Sequence, residues 1–313
     1  MRDRAAELVF GTVQLGLPYG IANRTGKPSR EDAVALVHLA LENEVRTFDT
    51  ARAYGDSEDV LGAALKGRAR IVTKLGPLAD LVASATRDEV RSTVDRSISE
   101  SLSALRHGRL DCLLLHRAEH LTAFRGFVWE RLKELAADGT IGTLGVSVQS
   151  RSEAHAALMR PEVRHIQLPF NLLDWRWKAS GVIDRIRERP DVTVHLRSVF
   201  LQGLLCSGDA TLWPPMPAVD PVSVITCLHA FVRTFRRSGL ADLCVAYARA
   251  QVWANGIVIG METEEQLHAN VSLFGRTPLT ADQCAEIECC LPRVPVELLN
   301  PARWPKREHR HAA

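Results

Sequence analysis

Eight short apolar runs alternate with longer segments of helical periodicity along this chain. The short runs have the length of strands, and the segments between them are long enough for crossover helices. This alternation implies a parallel sheet with right-handed crossovers, and eight such units close most simply into a (β/α)8, or TIM, barrel. The predicted strands are Leu8–Thr12, Arg46–Thr50, Ile71–Lys74, Leu110–His116, Thr143–Ser147, His165–Pro169, Val192–Ser198 and Gly256–Gly260.

An open, doubly wound sheet is the alternative fold. It is disfavoured because no G-x-G-x-x-G motif follows the first strand, and Gly11-Thr-Val-Gln-Leu-Gly16 has the wrong spacing for that motif. Helix-start signals, a capping residue followed three positions later by Glu or Gln, agree with helices between the strands. They are found at Thr86 with Glu89, at Ser150 with Glu153 and at Thr263 with Gln266.

The length of 313 residues suits a single α/β barrel domain, and a hydrophobic content of 46% supplies a sizeable core. We predict a barrel over residues 1–304, followed by a basic, disordered tail over 305–313. Segment 207–221 contains Trp213-Pro-Pro-Met-Pro217, which excludes a regular helix, and is predicted to be a long rim loop. The extension from Pro292 to Trp304 is expected to fold over the barrel mouth.

Charge and hydropathy argue against several classes of protein. A net charge of +2 gives no broad electrostatic footprint for nucleic acid. No apolar run reaches the roughly eighteen residues that span a bilayer. Near the amino terminus only Leu8-Val-Phe10 is apolar, which is too short for a secretory signal. We therefore expect a cytoplasmic protein without a membrane or nucleic-acid partner; the sequence leaves its oligomeric state open.

The seven cysteines form no C-x-x-C pair and lack histidines at zinc spacing, so neither a zinc site nor a structural disulfide is expected. Most are expected to be small buried hydrophobic residues. A vicinal redox pair at Cys289-Cys290 is disfavoured, because adjacent residues of a helix point to different faces.

Four polar side chains stand at or just beyond the C-terminal ends of the second, third and fourth predicted strands: Asp49, Tyr54, Lys74 and His116. In a parallel barrel this rim carries the chemistry. A nearby ammonium favours tyrosinate, so a tyrosine beside a lysine is a stronger acid and can protonate a carbonyl oxygen. Each residue alone has an ordinary structural role open to it, as a cap, a rim aromatic, a solvated lysine or a polar core residue. Their joint placement favours carbonyl reduction.

Short motifs follow one another in a fixed order along nearly the whole chain. They are Phe48-Asp-Thr-Ala-Arg-Ala-Tyr-Gly-Asp-Ser-Glu58, Leu61-Gly62, Ile71-Val-Thr-Lys74, Leu110-Asp111, Leu115-His116, Leu144-Gly-Val-Ser147, Gln167 with Asn171, and Ile259-Gly260 with Gln266 and Asn270. Any one fragment is weak evidence, but the combination resembles the aldo-keto reductases. The resemblance implies a TIM barrel that reduces an aldehyde or ketone with NAD(P)H.

In the mechanism that this resemblance implies, Tyr54 protonates the substrate oxygen while the cofactor delivers hydride to the carbonyl carbon. Lys74, held by Asp49, favours the phenolate, and His116 donates a hydrogen bond that orients the carbonyl. No metal is required. A second functional class stays open, because the same fold also serves as a cofactor-binding, redox-sensing regulatory subunit among the family's relatives.

The resemblance also implies a cofactor site. Ser147, Gln167 and Asn171 match positions that bind the nicotinamide carboxamide, and Gly11 with Thr12 lie under the ring. At the adenosine end, a glycine at a strand tip leads into a helix start, where backbone N–H groups accept phosphate. The residues matched there are Gly260, Glu262, Thr263, Gln266 and Asn270. An ordinary solvated helix face is the alternative for Gln266 and Asn270.

Two departures from the family pattern affect the cofactor. Glu262 stands where a basic residue often binds the 2′-phosphate of NADP, and a carboxylate would repel a phosphate but accept a ribose hydroxyl. NADP(H) is the family default, and NAD(H) becomes a serious alternative. Arg197 stands where many members stack a tyrosine on the nicotinamide. Phe200 can replace that stack, or Arg197 can reach the pyrophosphate, an anionic substrate or a neighbouring carboxylate.

The identity of the small carbonyl substrate is not determined by the sequence. The candidate pocket residues are Tyr19, Arg52, Trp175, Trp177 and Trp213. Aromatic platforms with arginines suit a sugar or another polyol, and the arginines would suit a phosphate, but a hydrophobic aldehyde is also compatible. Packing in the protein interior is the alternative role for the tryptophans.

Overall fold

The computed structural model of the chain describes residues 6–21, 23 and 25–305. In these residues eight parallel strands form a closed barrel in sequence order, in which β8 pairs with β1. The strands are β1 (Glu7–Gly11), β2 (Thr47–Asp49), β3 (Arg70–Lys74), β4 (Cys112–Leu115), β5 (Leu144–Ser147), β6 (His165–Pro169), β7 (Thr193–Arg197) and β8 (Gly256–Gly260). The predicted barrel is confirmed, because every predicted strand is present with only small shifts of its ends.

Helices lie between the strands and after the last one. They are α1 (Val13–Gly16), α2 (Arg30–Glu42), α3 (Ser57–Ala64), α4 (Arg87–Leu105), α5 (Phe127–Ala137), α6 (Arg151–Leu158), α7 (Val182–Arg187), α8 (Leu204–Ser207), α9 (Pro221–Thr234), α10 (Leu240–Arg249), α11 (Glu264–Gly275) and α12 (Ala281–Cys290).

The predicted helix starts are present, although one differs in detail. Thr86 begins α4 and Ser150 begins α6, each with a complete capping box that satisfies backbone N–H groups of the first turn. At α11 the Thr263 side chain accepts a hydrogen bond from the Gln266 backbone. The Gln266 side chain bonds to Glu262 and not to the backbone N–H of Thr263. Only one of the two hydrogen bonds of a capping box is therefore made here.

The rim segment after β7 is irregular, as its prolines predict. It contains the short helix α8 and a 3-10 turn at Ala210–Leu212. Pro221 then takes the first position of α9, where a backbone N–H is not needed. The carboxyl extension packs on the rim after β6, where Trp175 Nε1 donates to the Val294 carbonyl at 3.1 Å and Leu298 is buried. Of the predicted tail, residues 306–313 lie outside the described residues.

Two histidine rings fill part of the barrel interior nearer the N-terminal ends of the strands. His165 and His195 are buried and pack edge to face, with their ring centroids 4.2 Å apart. A Cβ atom at position 256 would lie 2.9 Å from the His195 ring, so Gly256 leaves the space that this ring fills. Burial lowers the pKa of His195 to about 3 and the pKa of His165 well below its usual value, which keeps both rings neutral.

The cysteines are more exposed than predicted. All seven are free thiols, but only Cys112, Cys244 and Cys284 are buried, while Cys289 and Cys290 are exposed. The last two lie at the end of α12, whose buried face is formed by other residues. No helix of the described residues is both long and apolar enough to cross a membrane.

Candidate active site

The C-terminal ends of the strands form the barrel mouth, and four predicted catalytic residues meet there: Asp49, Tyr54, Lys74 and His116. Asp49 and Lys74 are the last residues of β2 and β3, and His116 directly follows β4. Tyr54 lies in the loop between β2 and α3. Since all strands are parallel, these ends lie on one side of the barrel, and the structure brings together residues that are far apart in the sequence.

Lys74 and Asp49 form a buried ion pair. Lys74 Nζ lies 2.6 Å from Asp49 Oδ1 and donates to the Thr50 carbonyl at 2.9 Å, and about 1% of the Lys74 side chain is exposed. Burial by itself lowers the pKa of Lys74, but the Asp49 carboxylate and Tyr54 outweigh it and raise that pKa above its usual value. Lys74 is therefore a permanent cation at the mouth.

Tyr54 lies beside this cation. Lys74 Nζ is 5.0 Å from the centroid of the Tyr54 ring, and the His116 ring is nearly perpendicular to that ring, with a centroid distance of 5.7 Å. The loop that carries Tyr54 packs directly on the end of α1. A Cβ atom at Gly16 would lie 1.8 Å from the Tyr54 carbonyl oxygen, and one at Gly55 would lie 2.4 Å from the Gly16 carbonyl oxygen. Both glycines are therefore needed to position Tyr54.

His116 is a neutral imidazole. Burial, followed by the positive charges of Lys74 and Arg197, lowers its pKa to about 3. At neutral pH its ring carries one N–H donor and no net charge. It can donate a hydrogen bond to a carbonyl oxygen, but it holds no extra proton to give away.

A buried carboxylate that the sequence did not single out supports the mouth. Glu58 accepts hydrogen bonds from Thr73 at 2.6 Å, from Arg52 at 2.7 Å and from Ser101 at 3.2 Å, and it is completely buried. These contacts tie α3 and α4 to the residue next to Lys74. Glu58 ends the motif that begins at Phe48. The neighbouring residues in the sequence do not indicate that its side chain points inward to this network.

The residues matched to the nicotinamide end line the mouth next to Asp49. Gln167 Nε2 donates to Asp49 Oδ2 at 2.6 Å, and Thr12 Oγ1 donates to the Asp49 carbonyl at 2.9 Å. The Ser147 hydroxyl, at the end of β5, makes no hydrogen bond to a described residue. Asn171 is already engaged, because its Oδ1 accepts from the Leu173 backbone at 3.0 Å.

Two glutamines at the mouth were missed in the sequence. The Gln14 side chain lies across Gly260, where a Cβ atom would be 2.1 Å from its Oε1, and that oxygen is buried without a partner among the described residues. Gln149 Nε2 is also buried and finds no partner within the described part of the chain. Buried polar atoms normally have partners, so these two groups fit a polar ligand in the mouth. No sequence motif marks either residue.

The residues matched to the adenosine end lie at the start of α11. Glu262 Oε1 accepts from Gln266 Nε2 at 3.1 Å, while Asn270 is buried on the same helix. Glu262 and Thr263 also line a cleft of about 730 Å³ whose other wall includes Lys27. Lys27 is paired with Asp56 at 2.6 Å. Glu262 thus faces a space large enough for a ligand.

Most of the substrate candidates are held by protein contacts. Arg52 pairs with Glu58 and with Glu100 at 3.4 Å, so it does not present a free guanidinium to a phosphate. Trp177 is completely buried, and its Nε1 donates to Asp174 at 3.0 Å. Trp213 is only 5% exposed. Trp175 is hydrogen-bonded to the carboxyl extension. The proposed pocket role of Trp177 is wrong, because it is a core residue. Tyr19 is 41% exposed, and its hydroxyl accepts a hydrogen bond from Gln202 Nε2 at 3.1 Å.

Within the described residues, no group of three or more histidine, cysteine or acidic side chains is arranged to hold a metal ion. The polar groups of the mouth are instead one buried ion pair, a phenol, a neutral imidazole, a guanidinium at Arg197 and several amides. This set can bind, orient and protonate a carbonyl compound.

Comparisons with known proteins agree with this fold. The barrel is similar to that of the aldo-keto reductase AKR11C1 from Bacillus halodurans in its holo form, with a TM-score of 0.72 and 22% identity over 93% of each chain. It is also similar to the aldo-keto reductase PA4992 from Pseudomonas aeruginosa, with a TM-score of 0.61 and 21% identity over 86% of this chain and 89% of that one. The model of the aldo/keto reductase family matches residues 7–292. The chain therefore belongs to the aldo-keto reductase family.

Proposed function

We propose that the chain is an NAD(P)H-dependent oxidoreductase that reduces an aldehyde or ketone to an alcohol, with Tyr54 as the general acid. The observation that carries the proposal is the close approach of two groups to the Tyr54 ring: the Lys74 ammonium, 5.0 Å from its centroid, and the nearly perpendicular His116 ring, 5.7 Å away. A phenol beside a cation and a neutral imidazole supports the role of proton donor to a carbonyl oxygen.

The charges of the mouth support Tyr54 as the proton donor. His116, with its pKa lowered to about 3, carries no extra proton at neutral pH. Lys74 holds its proton tightly because Asp49 raises its pKa. Tyr54 then gives its O–H proton to the substrate oxygen, and the Lys74 ammonium lies next to the phenolate that is left. His116 donates a hydrogen bond to the same oxygen and orients it.

The residues of the mouth fit a nicotinamide cofactor. Members of this family typically use such cofactors, which supply a hydride to the carbonyl carbon when bound. The free hydroxyl of Ser147 and the amide of Gln167 would hold the carboxamide end, and Gly260 with the first turn of α11 would hold the phosphates. Gln14 Oε1 is a buried acceptor beside Gly260 without a partner among the described residues, which supports a ligand group there that donates a hydrogen bond, such as a hydroxyl or an amide N–H.

The test is the oxidation of NADPH and NADH, followed by absorbance, with a panel of aldehydes and keto sugars. Turnover that depends on both cofactor and carbonyl compound supports the proposal. A regulatory subunit that only binds the cofactor would show quenching of its tryptophan fluorescence when cofactor is added. It would reduce none of the aldehydes and keto sugars. That result would overturn the proposed reaction while leaving the cofactor site in place.

A further inference from the structure

Arg197 places a second positive charge at the mouth. It is the last residue of β7 and lies two positions after His195, whose ring fills the barrel interior, so both side chains are on the inner face. Burial lowers the pKa of Arg197 below its usual value, although the nearby Tyr54, Tyr19 and Asp49 act in the opposite direction. The charge therefore lies close to the groups proposed to hold the reacting oxygen.

The partners of Arg197 are all neutral. Its Nη2 donates to the Val148 carbonyl at 3.2 Å and to Gln149 Oε1 at 2.8 Å, and its Nη1 donates to Ser198 Oγ at 3.4 Å. Among residues 6–21, 23 and 25–305, no carboxylate lies within 4.0 Å of its nitrogen atoms. Three of its five N–H groups are used in this way.

Nearby guanidinium groups are matched by carboxylates. Arg176 is buried with Asp174 at 2.7 Å, and Arg52 pairs with the buried Glu58 at 2.7 Å. The carboxylate that acts on Arg197 is Asp49, but its Oδ1 is taken by Lys74 and its Oδ2 by Gln167. Two cations thus share one carboxylate, and this part of the mouth carries an excess positive charge.

A partly buried charge without an opposite charge is costly unless a ligand completes its environment. Gln149 adds a second donor, because its Oε1 is fixed by Arg197 while its buried Nε2 has no partner in the described part of the chain. A carboxylate or phosphate can accept hydrogen bonds from a guanidinium and an amide together. The anion could belong to the substrate or to the cofactor pyrophosphate.

We infer that Arg197, with Gln149, recognises a carboxylate or phosphate group on the substrate, so that the chain prefers carbonyl compounds with a negative charge. This inference rests on the proposed function and names the substrate class. The substrate is favoured over the pyrophosphate because Arg197 is held by Val148 and Gln149, directly after Ser147 at the nicotinamide end. The phosphates are instead proposed to lie at Gly260 and the first turn of α11.

The experiment compares two aldehydes of nearly the same shape, 4-carboxybenzaldehyde and its neutral analogue 4-formylbenzamide. The parent is expected to show a kcat/KM at least about tenfold higher for the carboxylate, as one charge-assisted contact provides. Arg197→Gln should abolish this preference through a higher KM for the carboxylate alone, and Arg197→Lys should keep part of it. Glyceraldehyde 3-phosphate against glyceraldehyde repeats the comparison for a phosphate.

Cofactor binding by the variant shows whether the anion belongs to the substrate or to the cofactor pyrophosphate. The Kd values of NADPH and NADH, measured by quenching of tryptophan fluorescence, should be unchanged in Arg197→Gln. Weaker cofactor binding together with an unchanged aldehyde preference would assign the anion to the pyrophosphate and overturn the inference.

Equal use of both aldehydes by the parent would overturn the inference alone, and the proposed function would stand. If the parent reduced neither aldehyde nor any of the wider panel, the proposed function would fail and this inference with it. A thermal melt checks the fold of each variant. Arg197→Gln should melt near the parent temperature, because it removes no ion pair, whereas Arg176→Gln, which strands the buried Asp174, should melt lower.

Discussion

Lys74 Nζ and Asp49 Oδ1 are 2.6 Å apart, and both side chains are almost completely buried at the barrel mouth. The pair joins the ends of two neighbouring strands, β2 and β3. Two opposite charges in such a place are stable together, whereas either alone leaves a buried charge without compensation.

Asp49→Asn is therefore expected to lower the free energy of unfolding by about 3 to 5 kcal/mol, because it leaves the Lys74 ammonium buried without its counter-charge. Urea denaturation at pH 7 measures the difference. Asp184→Asn is the matched control, since it breaks the Arg187–Asp184 pair, which is 2.8 Å long but mostly exposed. If both variants lost a similar free energy of unfolding, the buried Lys74–Asp49 pair would contribute no more stability than an exposed pair.

Tyr54→Phe removes the proposed proton donor and keeps the ring that packs between Lys74 and His116. Turnover should fall by about 100-fold or more, the usual contribution of a general acid, while cofactor binding stays unchanged. Steady-state kinetics and fluorescence titration measure the two properties. Tyr247→Phe is the control: it removes a buried phenol on α10 that donates to Glu288 of α12 at 2.8 Å, and it should keep the activity. Parent-like turnover by Tyr54→Phe would remove Tyr54 from the role of acid.

Stability should decrease below neutral pH because His165 and His195 are buried and neutral. Their pKa values are near 6.5 in the unfolded chain, but the pKa of His195 is about 3 in the folded state and that of His165 is also well below 6.5. Between about pH 6.5 and 3 the unfolded chain therefore binds protons that the folded chain does not. The free energy of unfolding should fall by up to about 1.4 kcal/mol per pH unit for each histidine.

Urea denaturation between pH 7.5 and 5 measures this slope. His195→Gln should reduce it, whereas His268→Gln, which changes an exposed histidine on α11, should leave it unchanged. An identical slope in the parent and in His195→Gln would contradict the assignment to this buried pair.

Glu262→Arg should strengthen NADPH relative to NADH. The change exchanges repulsion of a 2′-phosphate for a charge-assisted contact, which corresponds to roughly tenfold or more in relative affinity. It also breaks the Glu262–Gln266 hydrogen bond at 3.1 Å, which frees the Gln266 amide. Titration of both cofactors by tryptophan fluorescence gives the ratio. Glu286→Arg makes the same charge change on the exposed face of α12 and should not alter it. If Glu262→Arg left the ratio of the NADPH and NADH affinities unchanged, the side chain at position 262 would not reach the adenosine ribose.

The sequence by itself determined the barrel and the elements that carry the mouth. Strand and helix periodicities are local properties, and eight alternations leave few topologies open. Asp49, Lys74 and His116 could be placed at one mouth because the carboxyl ends of parallel strands lie on the same side. The capping residues of α4 and α6 were readable for the same reason, since each cap lies within a few residues of the backbone groups that it satisfies.

Only the tertiary structure decided which charges have partners. Arg52 and Arg197 are both arginines near the C-terminal end of a strand, and the sequence does not distinguish their partners. In the fold Arg52 pairs with the buried Glu58, whereas Arg197 donates to neutral acceptors on the loop after β5. Gln167 reaches Asp49 across 118 positions of the chain. Such contacts depend on side-chain direction and on packing between distant segments, so no local pattern encodes them. The excess positive charge at the mouth is therefore a property of the folded barrel.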